Sequence, residues 1–333
     1  MRIAYDVTPL SHPRTGVGNY ILGALRGMAE AGGHELVAFG PVSIRGRPLL
    51  DAALDGLDVE RRLVTVPFAH ATRRVWGALG RPSAERFVGA LDVLHFSDWM
   101  RPPQRGGVRA TMIHDLGPLR YPERLHPRTV RMHTGTADEA KRVDVVFVNS
   151  EFTATDVAER LSVPRERIRV AYPGVGPEFA PEGPRYEHGS PYLFTTATGD
   201  WRKNLETLRA AHTEVPVVAL GDLGYVEHAQ LPDLYRGAEA FVYPSRFEGF
   251  GIPVIEAMAC GVPCIVSSHP SLDEASGDAA VRVDPESAES IADGIRQALE
   301  RRDEVIPRGL AHARRFTWLE TGRVHLQSYA DAL

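Results

Sequence analysis

Two glutamates eight residues apart flank a glycine-containing segment suited to a phosphorylated ligand. Glu248 precedes Gly249 and Gly251, and is expected to point into a crevice. A helix is predicted to begin at Pro253, which places Glu256 one turn into it. Glycines let a backbone approach a ligand closely, and a helix N-terminus offers free N–H groups and partial positive charge to phosphate. Glu256 is suited to accept hydrogen bonds from paired hydroxyls, such as those of a ribose. The alternative is an ordinary strand–turn–helix with surface carboxylates.

Other chemically capable residues are scattered along the chain. Lys203, next to Arg202, is one of only two lysines among 38 basic residues, so a compact ammonium is expected to matter there. Gly16 and Gly18 follow the first predicted strand, but they lack the third glycine of a dinucleotide-binding fingerprint. His114 lies at the end of another predicted strand. Taken singly, the lysine is also compatible with a helix-start cation facing water, and an isolated histidine at a strand end is more often structural.

The elements that must position these residues alternate between short apolar runs and helical patterns. Such alternation predicts an α/β protein with parallel sheets and right-handed crossovers. Residues 18–32 are predicted to form the first helix. Strands are predicted at residues 3–7, 36–39, 93–96, 110–113, 145–148, 168–171, 192–196, 215–220, 240–243, 264–267 and 280–283.

The alternation stops once and then restarts, which predicts two domains. Residues 1–176 are expected to form an N-terminal domain. Residues 177–191, rich in Pro and Gly, are expected to be a linker. Residues 192–317 would form the second domain, and residues 318–333 a C-terminal helix. Ligands are expected where the carboxyl ends of the strands of both sheets meet.

Composition excludes several classes of protein. The net charge of −5, with both signs mixed along the chain, gives no support for a nucleic-acid partner. No apolar run approaches the ~20 residues of a membrane helix, and the N-terminus lacks a signal-peptide layout. Two cysteines are too few for a disulfide framework. A cytoplasmic location is expected, and peripheral contact with the inner face of the membrane is compatible with it.

The whole string of residues 244–263, PSRFEGFGIPVIEAMACGVP, resembles the E-x7-E signature of the retaining glycosyltransferases of family 4. Residues 201–205, with Arg202 and Lys203, resemble the R-K-N stretch of that family. Residues 113–123, which include His114, look most like mannosyltransferase-type members that build surface polysaccharides. The resemblance covers nearly the whole chain. It implies the GT-B fold, in which two Rossmann-like, doubly wound parallel-sheet domains face each other across a cleft. By this resemblance, residues 1–176 would be on the acceptor side and residues 192–317 on the donor side. The C-terminal helix at residues 318–333 could cross back to the first domain.

The resemblance also implies roles for individual residues. Glu248, His114 and Lys203 would be catalytic: Glu248 positions the donor sugar, His114 touches it and Lys203 neutralises the leaving diphosphate. The residues expected to bind the donor are Gly16, Gly18, Arg202, Lys203, Tyr225, Val226, Glu248, Gly249, Phe250, Gly251, Ile252 and Glu256.

One departure from the family concerns the nucleobase. Lys203 and Glu248 are only 45 positions apart, where family members have a longer segment with an extra helix. Members of the family recognise the nucleobase near this shortened stretch, which here surrounds Tyr225 and Val226. The resemblance therefore leaves the base open, with GDP-mannose or a UDP-sugar as the donor.

The expected reaction transfers a hexose from the nucleotide sugar to a glycan, a lipid-linked or a small-molecule acceptor. The resemblance implies retention of configuration. No cofactor and no metal are expected. Metal-dependent glycosyltransferases commonly use an Asp-x-Asp, and none of the 19 aspartates lies two positions from another. Fixed cations and backbone amides would then neutralise the diphosphate.

Three other functions stay open on the sequence. An isomerase acting on the nucleotide sugar and a pseudo-glycosyltransferase that joins a cyclitol would share the fold. A non-catalytic protein that binds sugar nucleotides would keep the pocket. A dehydrogenase is disfavoured, because the Gly16 segment has the wrong spacing and no ribose-binding acid is well placed.

Acceptor recognition is expected within residues 44–107. Within this range, residues 68–87 carry four arginines and a tryptophan that could contact an acceptor: Arg73, Arg74, Trp76, Arg81 and Arg86. This stretch is predicted to be an amphipathic helix packed on the sheet. A surface that rests on lipid or binds a lipid-linked acceptor is the alternative.

Overall fold

The computed structural model describes all 333 residues and divides them into two compact units. The first unit contains Met1–Gly174 together with Trp318–Leu333, and the second contains Val175–Thr317. Each unit is built on its own parallel sheet, with cores of aliphatic and aromatic side chains. No helix of the molecule is both long and apolar enough to cross a bilayer.

The sheet of the first unit has seven parallel strands in the order β3-β2-β1-β4-β5-β6-β7. Its strands are β1 (Arg2–Asp6), β2 (Glu35–Val42), β3 (Glu60–Thr65), β4 (Val93–Phe96), β5 (Val108–Ile113), β6 (Val145–Val148) and β7 (Ile168–Val170). The order 3-2-1-4-5-6 is that of doubly wound nucleotide-binding folds, and it reverses direction between β1 and β4. The central strands are buried along their length, so they consist of nearly continuous apolar residues.

Eight helices belong to this unit. They are α1 (Gly16–Ala31), α2 (Arg47–Ala53), α3 (Ala69–Leu79), α4 (Glu85–Val88), α5 (Gly117–Arg120), α6 (Pro127–Ala140), α7 (Glu151–Leu161) and, numbered last in the chain, α14 (Trp318–Ala332). Helix α1 begins at Gly16 rather than at the predicted Gly18, so both glycines lie in its first turn. The hydroxyl of Thr15 accepts a hydrogen bond from the Gly18 N–H, and this N-cap starts the helix two residues earlier than predicted.

The last helix packs on α1 almost backbone to backbone. A Cβ at Gly27 would lie 1.7 Å from the carbonyl oxygen of Trp318, so only glycine fits there. Below this contact, the buried His325 shares hydrogen bonds with Tyr20 (3.0 Å) and Tyr329 (3.1 Å). Burial lowers the pKa of His325 to about 3, so the ring is neutral at pH 7. These contacts make the C-terminal helix part of the first unit.

The sheet of the second unit has five parallel strands in the order β12-β11-β10-β8-β9. They are β8 (Leu193–Thr195), β9 (Val217–Ala219), β10 (Ala240–Tyr243), β11 (Cys264–Ser267) and β12 (Val281–Val283). The helices are α8 (Leu205–Ala210), α9 (Leu231–Gly237), α10 (Ile252–Ala259), α11 (Pro270–Ser276), α12 (Ala288–Glu300) and α13 (Arg302–Ala313). Counted within the unit, the strand order is 2-1-3-4-5, another doubly wound order. Its reversal lies between β8 and β10.

Two expectations about organisation need correction. Strand β3 was not predicted; it is an edge strand that pairs only with β2 and leaves most of its charged side chains in solvent. Residues 177–191 are not a free linker. Phe179 is buried in the core of the second unit, and the guanidinium of Arg236 donates to the carbonyl oxygens of Glu178, Ala180 and Pro184. Hydrogen bonds to an otherwise unpaired backbone attach this segment to α9.

Candidate active site

The candidate site of the second unit lies at the reversal point of its sheet. Ligands of doubly wound sheets bind beyond the carboxyl ends of the strands at this point. Lys203 follows β8, and Glu248 follows β10, so the two flanking strands each supply one charged residue. The buried Asn204 joins the two loops: its side-chain amide donates to the carbonyl oxygens of Pro244 (3.0 Å) and Pro285 (2.6 Å). The backbone thereby fixes Lys203 opposite Glu248.

Lys203, Glu248 and Tyr243 form one hydrogen-bonded cluster. The ammonium of Lys203 lies 2.7 Å from the Oε1 atom of Glu248 and donates to the Tyr243 hydroxyl at 2.5 Å. That hydroxyl in turn donates to Glu248 Oε1 at 2.8 Å. Tyr243 is the last residue of β10 and was not predicted as a site residue. Its position at the carboxyl end of a predicted strand was the available signal.

The cluster is charged despite its burial. Burial opposes the ionisation of Glu248, but the Lys203 ammonium outweighs it and holds the pKa of the carboxyl below its ordinary value. Burial likewise disfavours the Lys203 ammonium, and Glu248 and Tyr243 reverse that effect and raise its pKa. The side chains of Lys203 and Glu248 are 23% and 13% exposed, so the pair is partly accessible to a ligand. Lys203 and Glu248 therefore form an ion pair in which either residue can exchange its partner for a group of a ligand.

A glycine turn leads from Glu248 to the N-terminus of α10. Gly251 has φ +115°, and a Cβ there would lie 2.6 Å from Leu272, so this turn requires glycine. The helix begins at Ile252, one residue before the predicted start, and its N-cap Gly251 offers no side-chain cap. Phe250 was expected to bind the donor. Its side chain instead lies in the core, 5.4 Å from the ring of Phe316, so only its backbone can face a ligand.

The turn's remaining members are Gly249, which is buried, and Ile252, which is partly buried against the same core.

Glu256 lies one turn into α10 and is buried. The Tyr235 hydroxyl donates to its Oε2 atom at 3.1 Å, and the Nε2 atom of His228 lies 3.9 Å from its Oε1 atom. Burial raises the pKa of Glu256 to about 7, against the opposing effect of the Tyr235 hydrogen bond. The carboxyl is therefore close to half-ionised at neutral pH and has an oxygen without a short hydrogen bond. His228 was not predicted, and it lies in the shortened stretch before α9.

Arg202, Tyr225 and Val226 are less directly placed for donor binding. The Arg202 guanidinium is held by both oxygens of Asp200, with a shortest distance of 2.6 Å. The Tyr225 side chain is 75% exposed, and Val226 packs against the core of the second unit. Arg202 would have to leave Asp200 to contact a diphosphate.

The predicted site residues of the first unit are Gly16, Gly18 and His114. A Cβ at Gly16 would meet nothing within 4 Å, so this glycine leaves the start of α1 open. His114 follows β5, and its ring makes an edge contact with Tyr20 at 5.3 Å between centroids. Burial, with a smaller effect of His133, lowers the pKa of His114 to about 4. His114 is therefore a neutral hydrogen-bonding group at pH 7.

A carboxylate and a second histidine near His114 were missed. Asp98 follows β4 at the reversal point of the first sheet, and its Oδ2 atom lies 4.0 Å from His133 Nδ1. Asp98, His114 and His133 line one small cavity of about 90 Å³. Burial raises the pKa of Asp98, and His133 opposes this effect. Position at the carboxyl end of a predicted strand was again the signal that could have found Asp98.

No three His, Cys, Asp or Glu side chains gather in a way that could hold a metal ion. Metal independence of the reaction remains a prediction.

Both halves of the chain match families of glycosyltransferases. Residues 14–179 match the family described as Glycosyltransferase Family 4, and residues 198–309 match Glycosyl transferases group 1. Together the two matches cover most of the chain.

Related proteins agree with this assignment. O-antigen chain mannosyltransferase B from Escherichia coli is 27% identical, with 96% of each chain covered. Sucrose-phosphate synthase from Thermosynechococcus elongatus superposes with a TM-score of 0.73 at 18% identity, over 99% of this chain and 98% of that chain. Anabaena HepE, solved with UDP and glucose, superposes with a TM-score of 0.70 at 14% identity, over 99% of both chains. The chain therefore belongs to glycosyltransferase family 4 and has the GT-B fold, with mannosyltransferases of O-antigen synthesis among its relatives.

Proposed function

We propose that this glycosyltransferase transfers a hexose from a nucleoside-diphosphate sugar to a hydroxyl group of a glycan, a lipid-linked or a small-molecule acceptor. The mannosyltransferase relative supports GDP-mannose as the donor. The fold likeness to a protein solved with UDP and glucose supports a UDP-sugar as the second candidate. Both donors present a diphosphate, a ribose and a hexose to the same residues.

The observation that carries this proposal is the partly accessible Lys203–Glu248 pair at the reversal point of the second sheet. Breaking a sugar–phosphate bond builds positive charge on the sugar and negative charge on the diphosphate. Lys203 and the uncapped start of α10 would stabilise that negative charge. Two unit charges 4 Å apart interact by about 4 kcal/mol at an effective dielectric of 20. Such a contact is sufficient to change the rate by ~100-fold or more.

Glu248 would bind hydroxyls of the donor sugar, with Tyr243 fixing the orientation of its carboxylate. Glu256 would accept hydrogen bonds from the two ribose hydroxyls, and His114 would contact the donor sugar as a neutral group. The acceptor oxygen would attack from the face that the diphosphate leaves, and so retain the configuration. Its proton passes to an oxygen of the departing phosphate, so no protein base is required.

We propose that the reaction needs no metal ion, because Lys203 and backbone N–H groups supply the positive charge. Transfer measured in excess EDTA should equal transfer by untreated enzyme, and added Mg²⁺ or Mn²⁺ should not increase it. Activity that is lost in EDTA and restored by either metal would contradict metal independence, but it would not contradict the proposed transfer reaction.

The donor assay tests the proposed function. Thermal shifts with UDP, GDP, ADP and TDP sugars first identify the donor, because a ligand of the folded state raises the melting temperature. Without acceptor, a transferase should release nucleoside diphosphate slowly, by hydrolysis. A product isomer without release would instead identify a nucleotide-sugar isomerase. Binding without any turnover, across a panel of sugar and cyclitol acceptors, would identify a non-catalytic protein.

A further inference from the structure

Exposed apolar side chains gather on one side of the first unit. Twelve large apolar side chains of the molecule are exposed, and five of them line a single groove. These five are Val64, Phe68, Val75, Leu79 and Phe87. Exposed apolar residues that occur singly need no explanation, but a contiguous patch of this kind marks an interaction site. We refer to this depression as the apolar groove.

Helix α3 forms one wall with a continuous stripe. Phe68, its N-cap, and Val75 and Leu79 are 77%, 55% and 62% exposed. Together with Ala71, Thr72 and Trp76 they follow a spacing of three and four residues, which places them along one face of the helix. Arg73 lies outside this stripe, yet its guanidinium is buried. The expectation that the helix packs its apolar face on the sheet is therefore wrong for most of that face.

The edge of the sheet forms another part of the lining. Phe39 and Pro41 of β2 and Val64 of β3 contribute to it, and Phe87 of α4 also lines the groove. The apolar groove encloses about 570 Å³, within the range of about 300–1,000 Å³ that is typical of ligand sites. No aspartate or glutamate lines it. Its shape and walls suit a flexible hydrocarbon chain.

The only charged residues among those that line the apolar groove are arginines. Arg62 and Arg81 line it, and Arg74 and Arg86 are exposed on α3 and α4. Arg62 is paired with Glu60, whereas Arg74, Arg81 and Arg86 take part in no salt bridge. An apolar face bordered by unpaired arginines is the arrangement that binds anionic lipid surfaces, because the side chains insert while the guanidinium groups attract headgroups.

We propose that the apolar groove takes up an acyl chain of an anionic phospholipid and so attaches the first unit to an anionic bilayer. A neutral apolar partner would not require the three unpaired arginines. A second copy of the chain would bring those like charges together, which is unfavourable. The apolar groove belongs to the first unit, whereas Lys203, Glu248 and Glu256 belong to the second, so the proposal does not depend on the proposed reaction.

Vesicle co-sedimentation of the full chain, without donor or acceptor, tests the attachment. Wild-type protein should bind phosphatidylglycerol vesicles and bind phosphatidylcholine vesicles weakly. Val75→Asp and Leu79→Asp, and separately the double variant Arg74→Glu/Arg81→Glu, should each lower the bound fraction by about tenfold or more. Met132→Asp on α6 and Arg26→Glu on α1 are matched controls, because both side chains are exposed and neither lines the groove. Circular dichroism and melting temperature check that each variant is folded.

Occupation of the groove itself has a second readout. Trp76 lines the groove, so acyl chains brominated along their length should quench its fluorescence when they enter. This quenching should be absent from Trp76→Phe. Three results would overturn the proposal: no binding to anionic vesicles, binding that Val75→Asp and Leu79→Asp leave unchanged, or quenching that is the same in Trp76→Phe. A homodimer in sedimentation that Val75→Asp dissociates would reassign the groove to a second copy of the chain.

Discussion

At the scale of single residues, Lys203 and Glu248 neutralise each other before any donor is bound. The ammonium that is expected to stabilise the diphosphate lies 2.7 Å from a carboxylate and is shared with Tyr243. A diphosphate must therefore compete with Glu248 for this cation. Removing one member of such a pair leaves the other charge partly buried without a partner, which costs stability. An alanine variant of either residue must for this reason be shown to be folded before its ligand binding is compared with that of the wild type.

Glu248→Gln separates the two effects. The amide oxygen still accepts hydrogen bonds from Lys203 and Tyr243, but the negative charge is gone. We expect transfer to fall by ~100-fold or more, because the sugar loses its charged partner. The same variant should bind nucleoside diphosphate more tightly, by up to about tenfold, since Lys203 no longer has a competing carboxylate. Steady-state kinetics and calorimetry measure the two quantities, and weaker diphosphate binding in Glu248→Gln would contradict the competition.

The raised pKa of Glu256 makes a prediction about pH. With a pKa of about 7, the carboxyl is protonated below neutral pH and ionised above it. Only the carboxylate accepts hydrogen bonds from both ribose hydroxyls, so nucleoside-diphosphate affinity should rise between pH 6 and pH 8, about one unit on each side of that value. The phosphate of the ligand titrates in the same way when the protein carries Glu256→Gln, so this variant serves as the control. An equal pH dependence in the variant would remove Glu256 from the nucleotide site.

At the scale of elements, the contact between α1 and α14 depends on glycines, which have no side chain to separate the two helices. Gly27 lies against the backbone of Trp318, and a Cβ at Gly23 would lie 2.2 Å from the indole of the same residue. Helices can approach this closely only where the interface residues are small. The requirement is steric, because both glycines have ordinary helical backbone conformations.

Gly27→Ala should therefore destabilise the protein, although alanine is the better helix former. A methyl group forced against the neighbouring backbone costs about 1–3 kcal/mol, or more if the helices must separate. Gly16→Ala is the matched control, because a Cβ there meets nothing and stability should hardly change. Urea denaturation of both variants measures the free energies of unfolding. Equal stability of Gly27→Ala and the wild type would mean that the helices are not packed this closely.

The sequence predicted elements much better than it predicted contacts. All eleven expected strands are present, because buried parallel strands produce apolar runs that are visible in the chain. The edge strand β3 was missed because ERRLVT is mostly solvated and shows no such run. The Lys203–Glu248 pair was not predicted as a pair, since it joins residues 45 positions apart through the fold. The core position of Phe250 was equally invisible, because side-chain direction in a glycine turn follows from the unusual backbone at Gly251.

At the scale of the whole molecule, the last helix belongs to the unit that comes first in the chain. Its buried Tyr329, Leu326 and His325 complete the core beneath β1 and β6. Each large buried side chain contributes about 1.5–3 kcal/mol, and a domain's net stability is only about 5–15 kcal/mol. Loss of the helix would remove a large part of the stability of the first unit.

Truncation after Thr317 tests this assignment. Hydrogen exchange should become much faster in residues 1–174, while residues 175–317 keep their protection. Removing only residues 331–333, which are exposed, is the control and should change little. Faster exchange in residues 175–317 instead would show that α14 stabilises the second unit.

Lys203 is proposed to bind the diphosphate of the donor, and calorimetry can measure this contact. Wild-type protein and Lys203→Ala are each titrated with the preferred nucleoside diphosphate and with the corresponding nucleoside. Lys141→Ala, which removes the only other lysine from an exposed site, is the control. We predict that Lys203→Ala binds the diphosphate at least about tenfold more weakly and the nucleoside as before. Unchanged diphosphate affinity in a folded Lys203→Ala protein would contradict the account.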